Sequence, residues 1–348
     1  MKGVAKKRFT RVVITISLLI IFLAFGFLLK YYILYYSPNT TYTESCIYIS
    51  KGSTWKDVMD TLRNSSAIKR VARFEKVAKR ERLPETFKPG RYRIKPESGN
   101  LSLVRTLKFG WQEPMKLTIS GNIRSMERLS SLLSKKLDCD SLSFIEEFSR
   151  RELMDSLKLT KETFISLFLP NTYEVYWTIT PNQLVNRMKR EYDRFWDGER
   201  KKRAKELGFS PVEVITLASI VSQESNVADE LPVIAGVYLN RLKRGIPLQA
   251  DPTIKFATGD DSLRRILRKH LEIDSPYNTY IYSGLPPGPI VIPPVNAIDA
   301  VLKYREHNYL YFCAKPALDG THNFAATLSE HNRNASAYHR AINSLPKR

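Results

Sequence analysis

Cysteine is nearly absent: Cys46, Cys139 and Cys313 are the only three in 348 residues. They are far apart and odd in number, which excludes a disulfide framework and leaves no paired spacing for zinc or a redox couple. Free thiols are expected, and no small-residue lipobox precedes Cys46 to make it a lipid attachment point. The histidines (His270, His307, His322, His331 and His339) show no HExxH or other ligand spacing, so no metal is expected. No glycine-rich phosphate loop and no Ser-His-Asp arrangement is visible, so no cofactor is expected either. Acidic residues are in deficit: 35 Asp and Glu face 55 Lys and Arg, a formal charge of +20. Such an excess points to nucleic acid, an anionic membrane surface or an acidic polymer. Nucleic acid would require a reader motif, and no zinc-finger spacing, helix-turn-helix signature or RNP-like pattern occurs. The charge is instead spread over Lys69 to Arg82, Arg200 to Lys205 and Arg264 to Lys269, so no nucleic-acid partner is expected.

Long hydrophobic runs are also scarce, but one is present. Val12 to Leu29 carries no charge. As a helix, at about 1.5 Å per residue, it covers roughly 27 Å, near the thickness of a hydrocarbon core. Lys2, Lys6, Lys7, Arg8 and Arg11 precede it without an acid, and Lys30, Tyr31, Tyr32, Tyr35 and Tyr36 follow it. Basic residues before and an aromatic belt after read as a single-pass span with the C-terminal body outside the cytoplasm. A cleaved signal peptide would have a shorter run and small residues at its cleavage site, not bulky tyrosines. The expected layout is a cytoplasmic basic tail over 1–11, a transmembrane anchor over 12–36, and a folded body after them.

That body opens as a small α+β module over 40–118. Ile47-Tyr48-Ile49 alternates with polar neighbours, and Lys51-Gly52-Ser53 makes a turn. Thr54 with Asp57 then forms a capping box for a helix with an apolar stripe of Val58, Met59 and Leu62. A basic amphipathic helix is expected from Ile68 to Arg82, a strand entered through Lys88 to Ile94, a helix from Leu101 to Phe109 stopped by Gly110, and a strand over Met115 to Ile119. The Lys-Gly-Ser-Thr-Trp opening resembles the glycan-binding LysM family, which usually carries Asp where Ser53 stands; a plain α+β spacer fits as well. The remainder, 119–348, is expected to be mainly helical. Apolar spacing runs through Met126 to Leu137, Leu142 to Arg150 and Leu184 to Phe195, broken by a loop entering a strand at Phe168 to Trp177.

Ser210-Pro211-Val212-Glu213 is a strong helix start, with a cap, Pro at the first helical position and Glu three after the cap. Val214 to Val221 is apolar nearly all round and is therefore expected to be buried. Glu224 ends that run, with Val221, Ile220 and Leu217 at i−3, i−4 and i−7. Desolvation and the negative end of the helix dipole would both favour its protonated form, which suits a general acid. The alternative is a residue that ends the helix and turns to water or pairs with an arginine. Leu231-Pro232 opens a second helix that Gly245 stops, and Asn240 and Arg241 stand near its end. Gln249-Ala-Asp251, Ser275-Pro-Tyr277-Asn278-Thr279 and Gly284 to Ile290 gather amides, hydroxyls and aromatics in loops, a composition suited to saccharide hydroxyls and sugar faces. Asn240, Gln249, Asp251, Tyr277, Asn278 and Thr279 are the candidate substrate-binding residues.

Ala218 to Ser225, Asn240 to Thr253, Ser275 to Thr279, Gly284 to Ile290, Tyr309 to Phe312, His322 to Phe324 and Glu330 to Asn332 resemble the MltG-type (YceG-like) endolytic murein transglycosylases. The resemblance covers nearly the whole chain. It implies that Glu224 is the catalytic residue and that a lysozyme-like helical core surrounds it. It implies lytic cleavage between N-acetylmuramic acid and N-acetylglucosamine within a peptidoglycan strand, leaving a 1,6-anhydro-muramic end and consuming no water. A bacterial cytoplasmic-membrane location, strand termination and peptidoglycan synthases as partners follow from the same resemblance. Where the family carries Phe-Pro-Asp-Thr-Tyr this chain reads Leu169-Pro-Asn171-Thr-Tyr173, so no acid stands at 171. One carboxyl suffices for the lytic route, whereas ordinary hydrolysis uses two flanking the bond. Asp251 is read as loop-shaping or substrate-positioning. As a nucleophile or base it would instead make a lysozyme-like muramidase, and without catalysis the body would be a wall-binding scaffold for synthases. His322 and His331 are expected to hydrogen-bond within the fold.

Overall fold

The computed structural model describes residues 2–260, 263 and 265–344. Arg264, at the head of one basic stretch, lies outside the described residues, as do the last four of the 119–348 region. Helices and strands are mixed, and the chain forms two compact units. The first comprises Met1–Met115 with Glu174–Ile179, the second Lys116–Tyr173 with Thr180–Arg348.

In the first unit, α1 (Lys2–Tyr35) is the one described helix long and apolar enough to cross a membrane, and its residues 7–33 are exposed. Next come β1 (Ser45–Ile49), α2 (Trp55–Asn64), α3 (Val71–Arg80), α4 (Leu83–Thr86), β2 (Gly90–Ile94) and α5 (Asn100–Phe109). β1 and β2 pair antiparallel, from Ser45 opposite Ile94 to Ile49 opposite Gly90. Ile47, Ile49, Tyr92 and Ile94 point from one face of this ribbon into a core closed by Leu62, Phe74, Val77 and Leu107. The Thr54–Asp57 capping box forms on α2, and Gly110 ends α5 with φ of 68°, the left-handed conformation glycine tolerates. The basic helix is shorter than its sequence suggests. Ile68 is spent on a bridge to Thr40, and Arg82 turns left-handed at φ 56°, so only 71–80 winds as α3.

The end of α1 is built into this unit. Tyr35 is buried in the core, Asn100 Nδ2 donates to the Leu34 carbonyl at 2.7 Å, and Pro38 bridges Gly99. A Cβ on Gly99 would sit 2.6 Å from the Tyr36 carbonyl, so glycine permits this approach.

The second unit runs β3 (Met115–Ile119, its first residue in the other unit), α6 (Met126–Ser134), α7 (Ser141–Phe148), α8 (Arg151–Leu157), β4 (Asn171–Val175, its last two residues in the other unit), α9 (Pro181–Phe195), α10 (Glu199–Leu207), α11 (Pro211–Val221), α12 (Leu231–Lys243), α13 (Asp251–Thr258), α14 (Val295–Leu302), β5 (Tyr311–Ala314), β6 (His322–Ala325) and α15 (Leu328–Asn343). β5 and β6 form an antiparallel hairpin, Tyr311 opposite Ala325. Helix α11 begins on the expected Ser210 capping box, and Val214 to Val221 are all buried. It is the hub of the core, with α12 and α14 packed on it through Ile234, Tyr238, Ala297, Ile298 and Val301. Burying such side chains contributes about 1.5–3 kcal/mol each, so an all-apolar helix is stable only at the centre of a unit.

Candidate active site

Helix α11 stops at Val221. Ser222 Oγ donates to the Ser219 carbonyl at 3.0 Å, and the Glu224 amide donates back to Val221 at 3.2 Å, so Ser222 to Glu224 is a tight turn rather than a last helical turn. Helical spacing therefore does not aim Glu224, contrary to the expectation from i−3 and i−4. Its setting comes from across the core, where α12 presents Tyr238. The Tyr238 hydroxyl donates to Glu224 Oε1 at 2.5 Å. Glu224 keeps part of its surface open to a cleft, yet its carboxyl is hemmed in by protein. Desolvation raises its pKa from 4.5 to about 7, the Tyr238 hydrogen bond opposes the rise, and the charge of Asp251 adds to it.

Two adjoining cavities of about 290 and 1040 Å³ share Glu224 and Asp251 in their walls. Asp251 opens α13, and its Oδ1 accepts from the Tyr280 hydroxyl at 2.6 Å. The smaller cavity is also walled by Gln249, Arg241, Tyr311 and His331. Arg241 is buried, donating to the carbonyls of Pro247 and Leu310 at 2.9 Å each and to Gln249 Oε1 at 2.5 Å. Gln249 sits at φ 53°, a left-handed strain tolerated here because its amide is tied to the Thr279 carbonyl and its side chain to Arg241. The larger cavity carries Arg124, Lys255 and Arg265 in its wall.

Of the sequence-derived candidates, Glu224, Gln249 and Asp251 come together on this cleft. The others do not. Asn278 is fully buried, its Nδ2 donating to the carbonyls of Leu271 and Ile273 at 3.0 and 2.8 Å. Thr279 is buried, with its hydroxyl on the Ala250 amide and the Thr253 hydroxyl. Thr279 thus holds the 249–253 segment and Asn278 ties its own loop to residues 271–273, so neither side chain faces the cleft. Tyr277 packs on Phe256 with ring centroids 4.5 Å apart. Asn240 Nδ2 reaches the carbonyls of His307 and Tyr309 at 2.7 and 3.1 Å and pins that loop to α12. His322 does bond within the fold: its amide and Nδ1 meet the two oxygens of Glu230 at 2.7 and 2.8 Å. His331 departs from expectation, stacking on Tyr311 while its buried Nδ1 has no hydrogen-bond partner among the described residues.

Tyr238, Tyr280 and Arg241 carry more of the site than the sequence suggests. The signal for Tyr238 is a single hydroxyl on an otherwise apolar helix stripe, since a buried phenol needs a partner. Among the described residues no group of His, Cys, Asp and Glu is arranged to hold a metal.

The YceG-like family profile matches residues 47–337 of this chain. A Bacillus subtilis (strain 168) protein named endolytic murein transglycosylase is 43% identical over 125 residues, 36% of this chain and 34% of that protein. A protein of the same name from Streptococcus pneumoniae serotype 2 is 26% identical over 326 residues, 83% of this chain and 57% of that protein. The crystal structure of a yceG-like protein from Listeria monocytogenes superposes with a TM-score of 0.55 at 26% identity, covering 83% of this chain and 98% of that one. The chain thus spans between a third and three fifths of the length of these curated relatives.

Proposed function

We propose, from the premise that this chain belongs to the YceG-like family, that it is an endolytic murein transglycosylase. The observation that carries this reading is Glu224, a carboxyl with a pKa raised to about 7 in an open cleft. Near neutral pH it has a proton to give, as a glycosidic general acid requires. Glu224 donates that proton to the oxygen leaving muramyl C1, breaking the C1–O bond. As carboxylate, held by the Tyr238 hydroxyl, it then takes the proton of the muramyl C6 hydroxyl while O6 bonds to C1. The proton returns to Glu224, a 1,6-anhydro end forms and no water enters. Gln249 and Asp251 position the strand, and Arg124, Lys255 and Arg265 attract the carboxylates of its peptides.

The layout extends this reading: residues 1–11 as a cytoplasmic basic tail, 12–36 as the span, 40–118 as a LysM-like module, and 119–348 as a catalytic domain with a lysozyme-like core, outside the cytoplasm of a bacterium. The small helix-covered two-stranded ribbon of the first unit supports the module, and the buried apolar α11, with Glu224 in the turn that follows it, supports the core. An enzyme anchored in this way acts on strands emerging beside the membrane, next to the synthases that make them. One observation favours a second chemistry, the placement of Asp251 in the same cleft walls. A second carboxylate there would permit a muramidase. Mass analysis of polymeric glycan digested by the full chain decides: anhydro ends made by wild type and lost in Glu224→Gln are expected, and reducing ends would establish the muramidase instead.

A further inference from the structure

Helix α3 and its flanks play no part in the cleft, yet they carry a long run of basic charge. Residues 69–82 carry seven Lys and Arg against two acids, Glu75 and Glu81. Phe74, Val77 and Ala78 bury one side of the helix in the core. The opposite side presents Ala72, Lys76, Lys79 and Arg80 at i, i+4, i+7 and i+8, one exposed stripe. Glu75 pairs with Lys79 at 2.9 Å, leaving the stripe strongly positive in sum.

Helix α3 packs beside α1, and its first flank is tied to the segment that follows α1. The Arg70 amide donates to Asn39 Oδ1, and the Arg70 carbonyl accepts from Asn39 Nδ2, each at 3.0 Å. At the other end Glu81 is within electrostatic reach of Tyr31, and its carbonyl accepts from Lys108 Nζ at 2.7 Å. Directly after Lys108 stand Phe109 and Trp111, exposed and stacked 5.5 Å apart. The stretch from Tyr31 to Asn39 is where a spanning α1 would leave the hydrocarbon, and its tyrosines suit the headgroup level. No loose tether intervenes, because Asn100, Gly99 and Tyr35 lock the end of α1 into the unit.

We propose that the α3 stripe is a lipid-surface site: with α1 across the bilayer, Lys76, Lys79 and Arg80, together with Arg70 and Arg73, bind the phosphates of anionic phospholipids around the anchor and fix the first unit at the membrane. The proposal rests on the reading of α1 as a span. Cations close to an anionic surface gain roughly fivefold in partition each. Their attraction fades within about 8–10 Å at physiological salt, so placement beside the anchor is what makes the charge effective. Phe109 and Trp111 add side chains suited to the interface.

The test uses the full chain with Cys46→Ser, Cys139→Ser and Cys313→Ser, and with an environment-sensitive fluorophore on Ala72→Cys, a neutral position in the stripe. The labelled chain is placed in nanodiscs of phosphatidylcholine alone or with phosphatidylglycerol. In anionic discs the emission should shift to the blue, and quenching by doxyl-labelled lipid should rise severalfold. High salt should reverse both changes, and Lys76→Gln, Lys79→Gln and Arg80→Gln combined should abolish them. The same signal in neutral and anionic discs would overturn the proposal. So would a response seen only when soluble anionic wall polymer is added to neutral discs, which would give the stripe to that polymer. Failure to enter neutral discs at all, read from co-migration with the lipid, would remove the span and this surface with it.

Discussion

Replacing Glu224 with Gln tests the desolvated carboxyl without reference to any product. A rise from 4.5 to about 7 corresponds to roughly 3 kcal/mol of preference for the protonated form in the native state. The native protein then binds this proton more tightly than the unfolded chain, so stability falls as pH rises between the two values. The contribution is intact below about pH 4.5, is lost through about pH 7, and changes little above it. Glutamine has nearly the same shape, cannot ionise, and can still accept from the Tyr238 hydroxyl. Relative to wild type, Glu224→Gln should therefore gain roughly 3 kcal/mol between pH 4 and pH 8. At pH 4 the two proteins should unfold at similar denaturant concentrations, and at pH 8 the variant should be the more stable while lacking lytic activity. Denaturant unfolding of the full chain in lipid nanodiscs across that range measures the difference. Parallel stability curves would refute the raised pKa, and with it the argument that Glu224 holds a proton at neutrality.

The neighbours of Glu224 should move its titration in opposite directions. Tyr238→Phe removes the hydrogen bond that opposes the rise, so the alkaline limb of the pH–rate profile should shift upward; Asp251→Asn removes a charge that adds to it and should shift the limb downward. Glu230 is buried, and although desolvation disfavours its charge, the hydrogen bonds from His322 and Ser225 keep its pKa low. Glu230→Ala should cost about 2–4 kcal/mol by stranding those donors, measured by denaturant midpoint at neutral pH. A Cβ on Gly236 would come within 2.5 Å of the Arg305 carbonyl, so Gly236→Ala should destabilise by about 1–3 kcal/mol and displace α12 with its Tyr238. Thermal unfolding and activity read together report that displacement.

Short-range chemistry was legible in the sequence because its causes are short-range. The capping boxes at Thr54 and Ser210 need residues three apart, and the left-handed stop at Gly110 needs only a missing Cβ. An apolar helix at 214–221 announces its own burial. Site composition was partly legible for the same reason, since a carboxyl following such a helix is conspicuous. What the sequence withheld is which way polar side chains turn. Asn278 and Thr279 have the groups that bind sugars, but those groups serve equally to satisfy a loop backbone, and here they do. The helix period misplaced Glu224 because α11 gives way to a turn before reaching it, where Ser222 competes for a helix carbonyl. Its environment is supplied by Tyr238, fourteen positions on, and by Asp251, Tyr280 and Arg241 in loops and helices beyond. The acid is thus tuned by the packing of α12 on α11 rather than by the segment that bears it. Substitutions that shift α12, which carries Tyr238 and Arg241, should therefore alter the pKa of Glu224 even where the residue replaced does not itself line the cleft, while substitutions on exposed faces of the same unit should not.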